Sequence, residues 1–206
     1  MTEQEKKQYL AEIDQDVQKA VDGEYKLFPV LQPANWPGVK NGALYNVEVL
    51  EDNDDDDIPL VVKSYAVETP NGLVYLSKKH KEFFGNRNLY QEASDNLDEL
   101  EQAFNFEKEF DNKVLSSNGT RFSSERVLSY TQMRMAHDFL ESEELFVSIP
   151  RRGNILIIPK DSDKELLDMF LYVHRHNWND KTNPNVQIAN ILCYVKSGNR
   201  EGIVYL

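Results

Sequence analysis

Cysteine is almost missing from this chain: Cys193 stands alone among 206 residues. A single thiol forms no intramolecular disulfide, so the fold must be held by packing, and such usage fits a reducing compartment. Long apolar runs are missing too, and none approaches the roughly 18 residues that a membrane span needs. The opening Met1-Thr2-Glu3-Gln4-Glu5-Lys6-Lys7 has neither the apolar core nor the small-residue cleavage site of a signal peptide. A cytoplasmic location with no membrane partner is expected. The nine glycines are scattered singly, which excludes a dinucleotide loop or a P-loop, and no cofactor is expected. Positive charge is short as well. With 23 Lys and Arg against 35 Asp and Glu, the net charge is −12 and the pI about 4.8. Such a balance repels phosphate backbones and argues against a nucleic-acid partner.

What is present is the material of a core. The chain is 40% hydrophobic and carries ten Tyr, ten Phe and two Trp, enough apolar area to offset chain entropy. Its length fits one large domain or two small ones. Tyr9, Ile13, Val17 and Ala20 recur at helical spacing before Gly23, predicting an amphipathic first helix. Tyr25 to Leu31 reads as extended. Pro29, Pro33 and Pro37 then break the chain until Ala43, with Trp36 packing down. Leu44 to Leu50 alternates as a strand does. The acidic run Glu51 to Asp57 invites a calcium reading. An EF-hand, however, needs glycine at its sixth position and glutamate at its twelfth, where counting from Asp52 finds Asp57 and Lys63, so a solvated loop is expected and no metal.

Leu60 to Glu68 and Leu73 to Leu76 flank Thr69-Pro70-Asn71-Gly72, a hairpin signal in which Asn71-Gly72 supplies positive φ. Lys78 to Phe84 predicts a short helix ending at Gly85. A longer helix is predicted to bury Leu89, Ala93, Leu97, Leu100 and Phe104. Polar residues 111–120 read as a linker between an N-terminal α+β subdomain, 1–110, and a C-terminal one, 121–206, the two making one compact unit. Ser123 or Ser124 is placed to cap a helix with core positions Leu128, Thr131 or Gln132, Met135 and Phe139. The apolar runs in Leu145 to Pro159 predict a hairpin with Arg151, Arg152, Gly153 and Asn154 at its tip. Asp161 or Ser162 would cap a last helix with Leu166, Leu167, Phe170, Leu171 and His174 on one stripe. Val186 to Val195, a turn at Ser197-Gly198-Asn199 and Ile203 to Leu206 close the chain as strands. The fold class is therefore α+β with a largely antiparallel sheet packed against amphipathic helices, and the second half runs α-β-β-α-β-β.

These elements resemble the YtpQ-like family of uncharacterised bacterial proteins. The likeness is carried by Leu27-Phe28-Pro29-Val30-Leu31, by Val62 to Glu68 leading to Leu73-Val74-Tyr75-Leu76, and by Leu145 to Pro150 with Asn154 to Ile158. Helix Glu165 to Arg175 and the closing hairpin Ile188 to Tyr205 extend it. The resemblance implies a bacterial, cytoplasmic protein of undefined activity and supplies no site residues. The acidic run and the paired arginines are not family features.

No catalytic constellation emerges. His174 and His176 are two apart, diverging by about 200° on a helix, so they do not converge on one metal. His137 and Asp138, adjacent in sequence, do not face each other. Ser148 lacks a glycine-flanked elbow, and Cys193 has no histidine motif near it. Arg151 and Arg152 are the one candidate site, two cations in an acidic protein able to contact an anion or a partner. A non-enzymatic protein-interaction or binding module is the reading that follows, with another protein as partner and no oligomeric state specified. Two alternatives stay open. One is a secretion-chaperone-like or immunity-like protein masking a basic client; the other is a hydrolase whose site assembles only in three dimensions.

Overall fold

The computed structural model describes residues 2–51 and 59–206. Helix α1 (Glu3–Val21) opens on a capping box: the Thr2 hydroxyl accepts from the Glu5 N–H while the Glu5 carboxylate accepts from the Thr2 N–H. Two otherwise orphaned donors are thereby satisfied. Val17 and Ala20 are buried but Tyr9 is 55% exposed, so α1 docks by its C-terminal half before the turn at Gly23, φ +82°.

The first sheet consists of β1 (Leu27–Pro33), β2 (Tyr45–Glu51), β3 (Pro59–Thr69) and β4 (Gly72–Tyr75), all antiparallel. β3 is central, with β1 on one edge and β2 and β4 on the other. Between β1 and β2 lies the single turn α2 (Pro37–Lys40), and Trp36 sets its ring 5.0 Å from Tyr75. The β3–β4 hairpin turns at Pro70-Asn71, with Thr69 paired to Gly72. In this turn positive φ falls on Gly72 and not on Asn71, whose N–H donates to the Thr69 hydroxyl at 3.2 Å. Six residues of the acidic run, 52–57, lie outside the described residues.

A 3₁₀ helix spans Lys78–Phe84, and α3 covers Leu89–Asp98. Leu89 and Ala93 are buried with Val17, Ala20, Leu27, Tyr65 and Val67 against one face of the first sheet, and Leu97 on the same helix is buried too. The expected extension of α3 through Leu100 and Phe104 does not form. The Ser129 hydroxyl binds the Asp98 carboxylate and the Gln132 amide donates to the Leu100 carbonyl, so tertiary contacts take over where helical ones would continue.

The second sheet has the order β10-β9-β7-β8-β6-β5 and is antiparallel throughout. Its strands are β5 (Asn105–Phe106), β6 (Leu115–Ser116), β7 (Glu144–Ser148), β8 (Leu156–Pro159), β9 (Ile191–Lys196) and β10 (Asn199–Tyr205). The polar stretch 111–120 thus contributes a strand, and Leu115 and Ser116 are buried in the sheet. Helix α4 (Tyr130–Leu140) is capped by Ser129, because Ser123 and Ser124 belong to a 3₁₀ turn ahead of it. Packing of Met133 and Ala136 on the second sheet sets the inward face: Gln132, Met133, Ala136 and His137 are buried, whereas Phe139, expected in the core, is 43% exposed. Helix α5 (Lys164–Asn179) is capped by Asp163 and buries Leu166, Phe170 and His174.

Strict alternation divides the second sheet's two cores. Leu145, Val147 and Ile149 face α4 through Met133 and Ala136, while Leu156 and Ile158 face α5 through Leu166 and Phe170. Leu31 and Val61 of the first sheet join the α4 core, so the halves share apolar packing. The result is an α+β fold with antiparallel sheets whose second half runs α-β-β-α-β-β. Among the described residues no helix is long and apolar enough to cross a membrane.

Candidate functional site

Arg151 and Arg152, the two candidates from sequence, point to different places. Arg151 is 5% exposed and donates to five main-chain carbonyls: Asn177, Trp178, Asp180, Asn183 and Asn185, at 2.5 to 3.3 Å. Three of these carbonyls lie at the C-terminal end of α5, where orphaned oxygens favour a cation. All five guanidinium donors are engaged inside the fold. The same residue bridges Gln187, and β9 starts at Ile191 rather than at Val186. Arg152, one residue on, donates through Nη2 to the Leu31 carbonyl at 3.2 Å, and its buried Nε meets no acceptor among the described residues.

The nucleophile and histidine candidates are absorbed by the core. Ser148 and His174 are wholly buried and 2.8 Å apart, and His174 Nε2 lies 3.3 Å from Asn190 Oδ1. With Nε2 donating to that oxygen, Nδ1 accepts from the Ser148 hydroxyl, a neutral imidazole fully used. Burial depresses the His174 pKa to about 4. No substrate reaches this serine. Cys193 is likewise buried, its thiol pushed up to about 12, which leaves it unreactive. His137 Nδ1 donates to the Ser142 carbonyl at 2.5 Å. No group of three or more His, Cys, Asp and Glu among the described residues is placed to hold a metal.

A groove of about 440 Å³ lies where β5, the C-terminal end of α4 and the start of α5 meet. Its apolar wall is Phe106 on β5 and Phe139 on α4, each 43% exposed and set edge to face at 6.2 Å. Glu141, Asp161 and Asp163 line it against one cation, Lys113, whose Nζ is 3.9 Å from Asp163. Backbone geometry holds the rim: Asn112 and Glu141 adopt positive φ, 58° and 49°, the latter ending α4. For glutamate that conformation is uncommon and is kept only where surrounding structure fixes it.

Compared with family models, curated proteins and solved structures, the chain matches none. Sequence reasoning missed the groove because Phe139 falls at a helical core spacing and Phe106 in a two-residue strand. It also passed over Phe122 and Glu125, reading only the serines between them as caps. The one available signal was the run Arg121-Phe122-Ser123-Ser124-Glu125-Arg126, dense in charge beside an aromatic.

Proposed function

We propose that this protein is a non-enzymatic interaction module whose groove between β5, α4 and α5 receives a basic, apolar segment of another protein. The observation that carries the reading is an aromatic pair left open to solvent inside a rim of three carboxylates and one lysine. Exposed aromatics clustered in a concavity are the usual anchors of an interface, while rim charges of one sign select the partner and speed its approach. The overall charge of −12 acts in the same direction. On this reading the client is cationic, as for a chaperone-like or immunity-like protein. The bacterial cytoplasm implied by the YtpQ-like resemblance and the single cysteine is where it would work.

The test is a titration of the full chain with an amphipathic Lys/Leu peptide and with its Glu/Leu counterpart of equal length, followed by fluorescence anisotropy. The lysine peptide is expected to bind and to weaken with salt. Phe106→Ala with Phe139→Ala is expected to remove about 2–4 kcal/mol of binding, since each ring is a candidate hot spot. Equal binding of the two peptides, or full affinity in the double variant, would overturn the reading.

A further inference from the structure

A second cavity, of about 230 Å³, lies between the first sheet and the chain passing over it. Pairing of Phe28 with Ala66, Val30 with Ser64, Gln32 with Val62 and Glu68 with Leu73 puts these residues on the face opposite α1 and α3. Val30, Glu68 and Leu73 form the floor, and Arg121, Phe122, Glu125 and Arg152 come from above. The overlying chain is fixed rather than loose. The Ile155 N–H donates to Asn118 Oδ1 at 2.9 Å, and the Gly153 N–H to the Ser124 hydroxyl at 3.2 Å.

Phe122 holds φ at +54°, a left-handed conformation that a bulky side chain avoids, and stacks its ring on Phe28 at 4.3 Å between centroids. Such strain persists where the surroundings demand it, often at a binding surface. Four charged side chains stand beside that ring. Arg121 pairs directly with Glu68. Glu125, 1% exposed, accepts from the Leu31 N–H at 3.1 Å and the Ser124 hydroxyl at 2.8 Å, and burial lifts its carboxyl above the usual carboxylate range while Ser124, Arg152 and the Leu31 N–H pull it back. Arg152, on the same rim, is only partly engaged. Its Nη2 gives one N–H to Leu31 and its buried Nε gives none among the described residues.

Next to it, Gln32 is 1% exposed, with its side-chain amide beside the Tyr75 phenol. Burial raises the Tyr75 pKa, and Arg152 and Gln32, within hydrogen-bonding reach of the phenol, oppose the rise. Unused buried donors are costly unless something accepts from them. A planar fork of N–H groups beside an apolar wall fits the two coplanar oxygens of a carboxylate.

We propose that this cavity binds a small organic monocarboxylate, its carboxylate on Arg152 and its apolar body against Phe122, Val30 and Leu73. The site is separate from the aromatic groove and independent of it. The experiment is calorimetry of the full chain with benzoate, using benzamide, benzylamine and inorganic phosphate as controls. A further arm uses a tripeptide ending in phenylalanine, with a free or an amidated terminus.

Benzoate is expected to bind one to one, and benzamide at least about tenfold more weakly, the factor that one charge-assisted hydrogen bond supplies. Arg152→Lys loses benzoate affinity by about the same factor because the fork is gone, whereas Glu125→Gln, which keeps a neutral hydrogen-bonding group, retains it. Phe106→Ala with Phe139→Ala leaves benzoate binding unchanged. Tighter binding of the free-ended tripeptide than of benzoate assigns the carboxylate to a chain end, and the reverse assigns it to a free acid. Should Arg152→Lys fail to fold, Phe122→Ala serves instead, lowering affinity for benzoate and benzamide alike. Equal affinity for benzoate and benzamide, phosphate binding that exceeds benzoate, full affinity in the folded Arg152→Lys or Phe122→Ala protein, or no heat with any probe would each overturn the assignment.

Discussion

Two neighbouring arginines end in opposite situations. Arg151 closes the far end of α5, its five donors engaged by carbonyls and its charge placed where the helix macrodipole is negative. Arg152 crosses to the first sheet, meets one carbonyl there and keeps a buried N–H unpaired among the described residues. Identical chemistry in adjacent positions thus serves as a structural clamp in one case and, on our proposal, as a receptor in the other. The difference lies in how many acceptors the surrounding backbone supplies. A saturated guanidinium stabilises the fold; an unsaturated one costs stability until a ligand arrives.

Breaking the clamp has the largest expected effect. Arg151→Met leaves five carbonyls without their donor and is expected to cost about 3–5 kcal/mol, within the range for removing one partner from a buried charged network. Arg152→Met, which strands one carbonyl and relieves an unpaired donor, is expected to cost under about 1.5 kcal/mol. Urea denaturation of both variants reads the difference directly, and equal losses would erase the distinction between them.

The clamp region has a second anchor one turn earlier, His174 on Ser148, and pH sharpens the contrast there. The folded pKa of about 4 lies below the ordinary histidine value of 6.5. Folding therefore favours the neutral ring, and its contribution is complete above pH 6.5 and lost as pH falls through 4. The shift corresponds to about 3 kcal/mol. His174→Gln is expected to be less stable at neutral pH and to show a flatter decline between pH 6.5 and 4. An unchanged slope would show that other groups carry the acid sensitivity.

The smallest effect is expected at the solvent-facing end of the same sheet. Glu144 on β7 is held at about 2 by hydrogen bonds from Lys160, Tyr194 and Lys196, in that order. Its contribution is present above pH 4.5 and lost as pH falls toward 2. Glu144→Gln is expected to shift the melting temperature only slightly at neutral pH, and mainly in low salt, because exposed pairs are well screened.

The hairpin from Leu145 to Pro159 and the stripe of α5 were legible in the chain, because alternation and helical spacing are local properties that neighbouring residues enforce. Gly23 and Gly85 ended helices where expected for the same reason. The reading slipped wherever a distant group decided. α3 stops at Asp98 because Ser129 and Gln132 capture its end. Phe139 has a core spacing, yet α4 packs on the second sheet through Met133 and Ala136 and leaves that ring open at the groove.

Of the candidate site, sequence marked Arg151 and Arg152 but could not separate them. It had no means of joining either to Glu125. Leu31 meets Glu125 across 94 positions of chain and Arg152 across 121. Composition and periodicity determined that this chain would fold by packing alone into helices and antiparallel strands, since burial of apolar faces rewards that pattern whatever the partners. Only the tertiary structure decided which polar groups were taken into the interior and which of them were left with a hydrogen bond still to give, because hydrogen bonding depends on distance and direction in space and not on order along the chain.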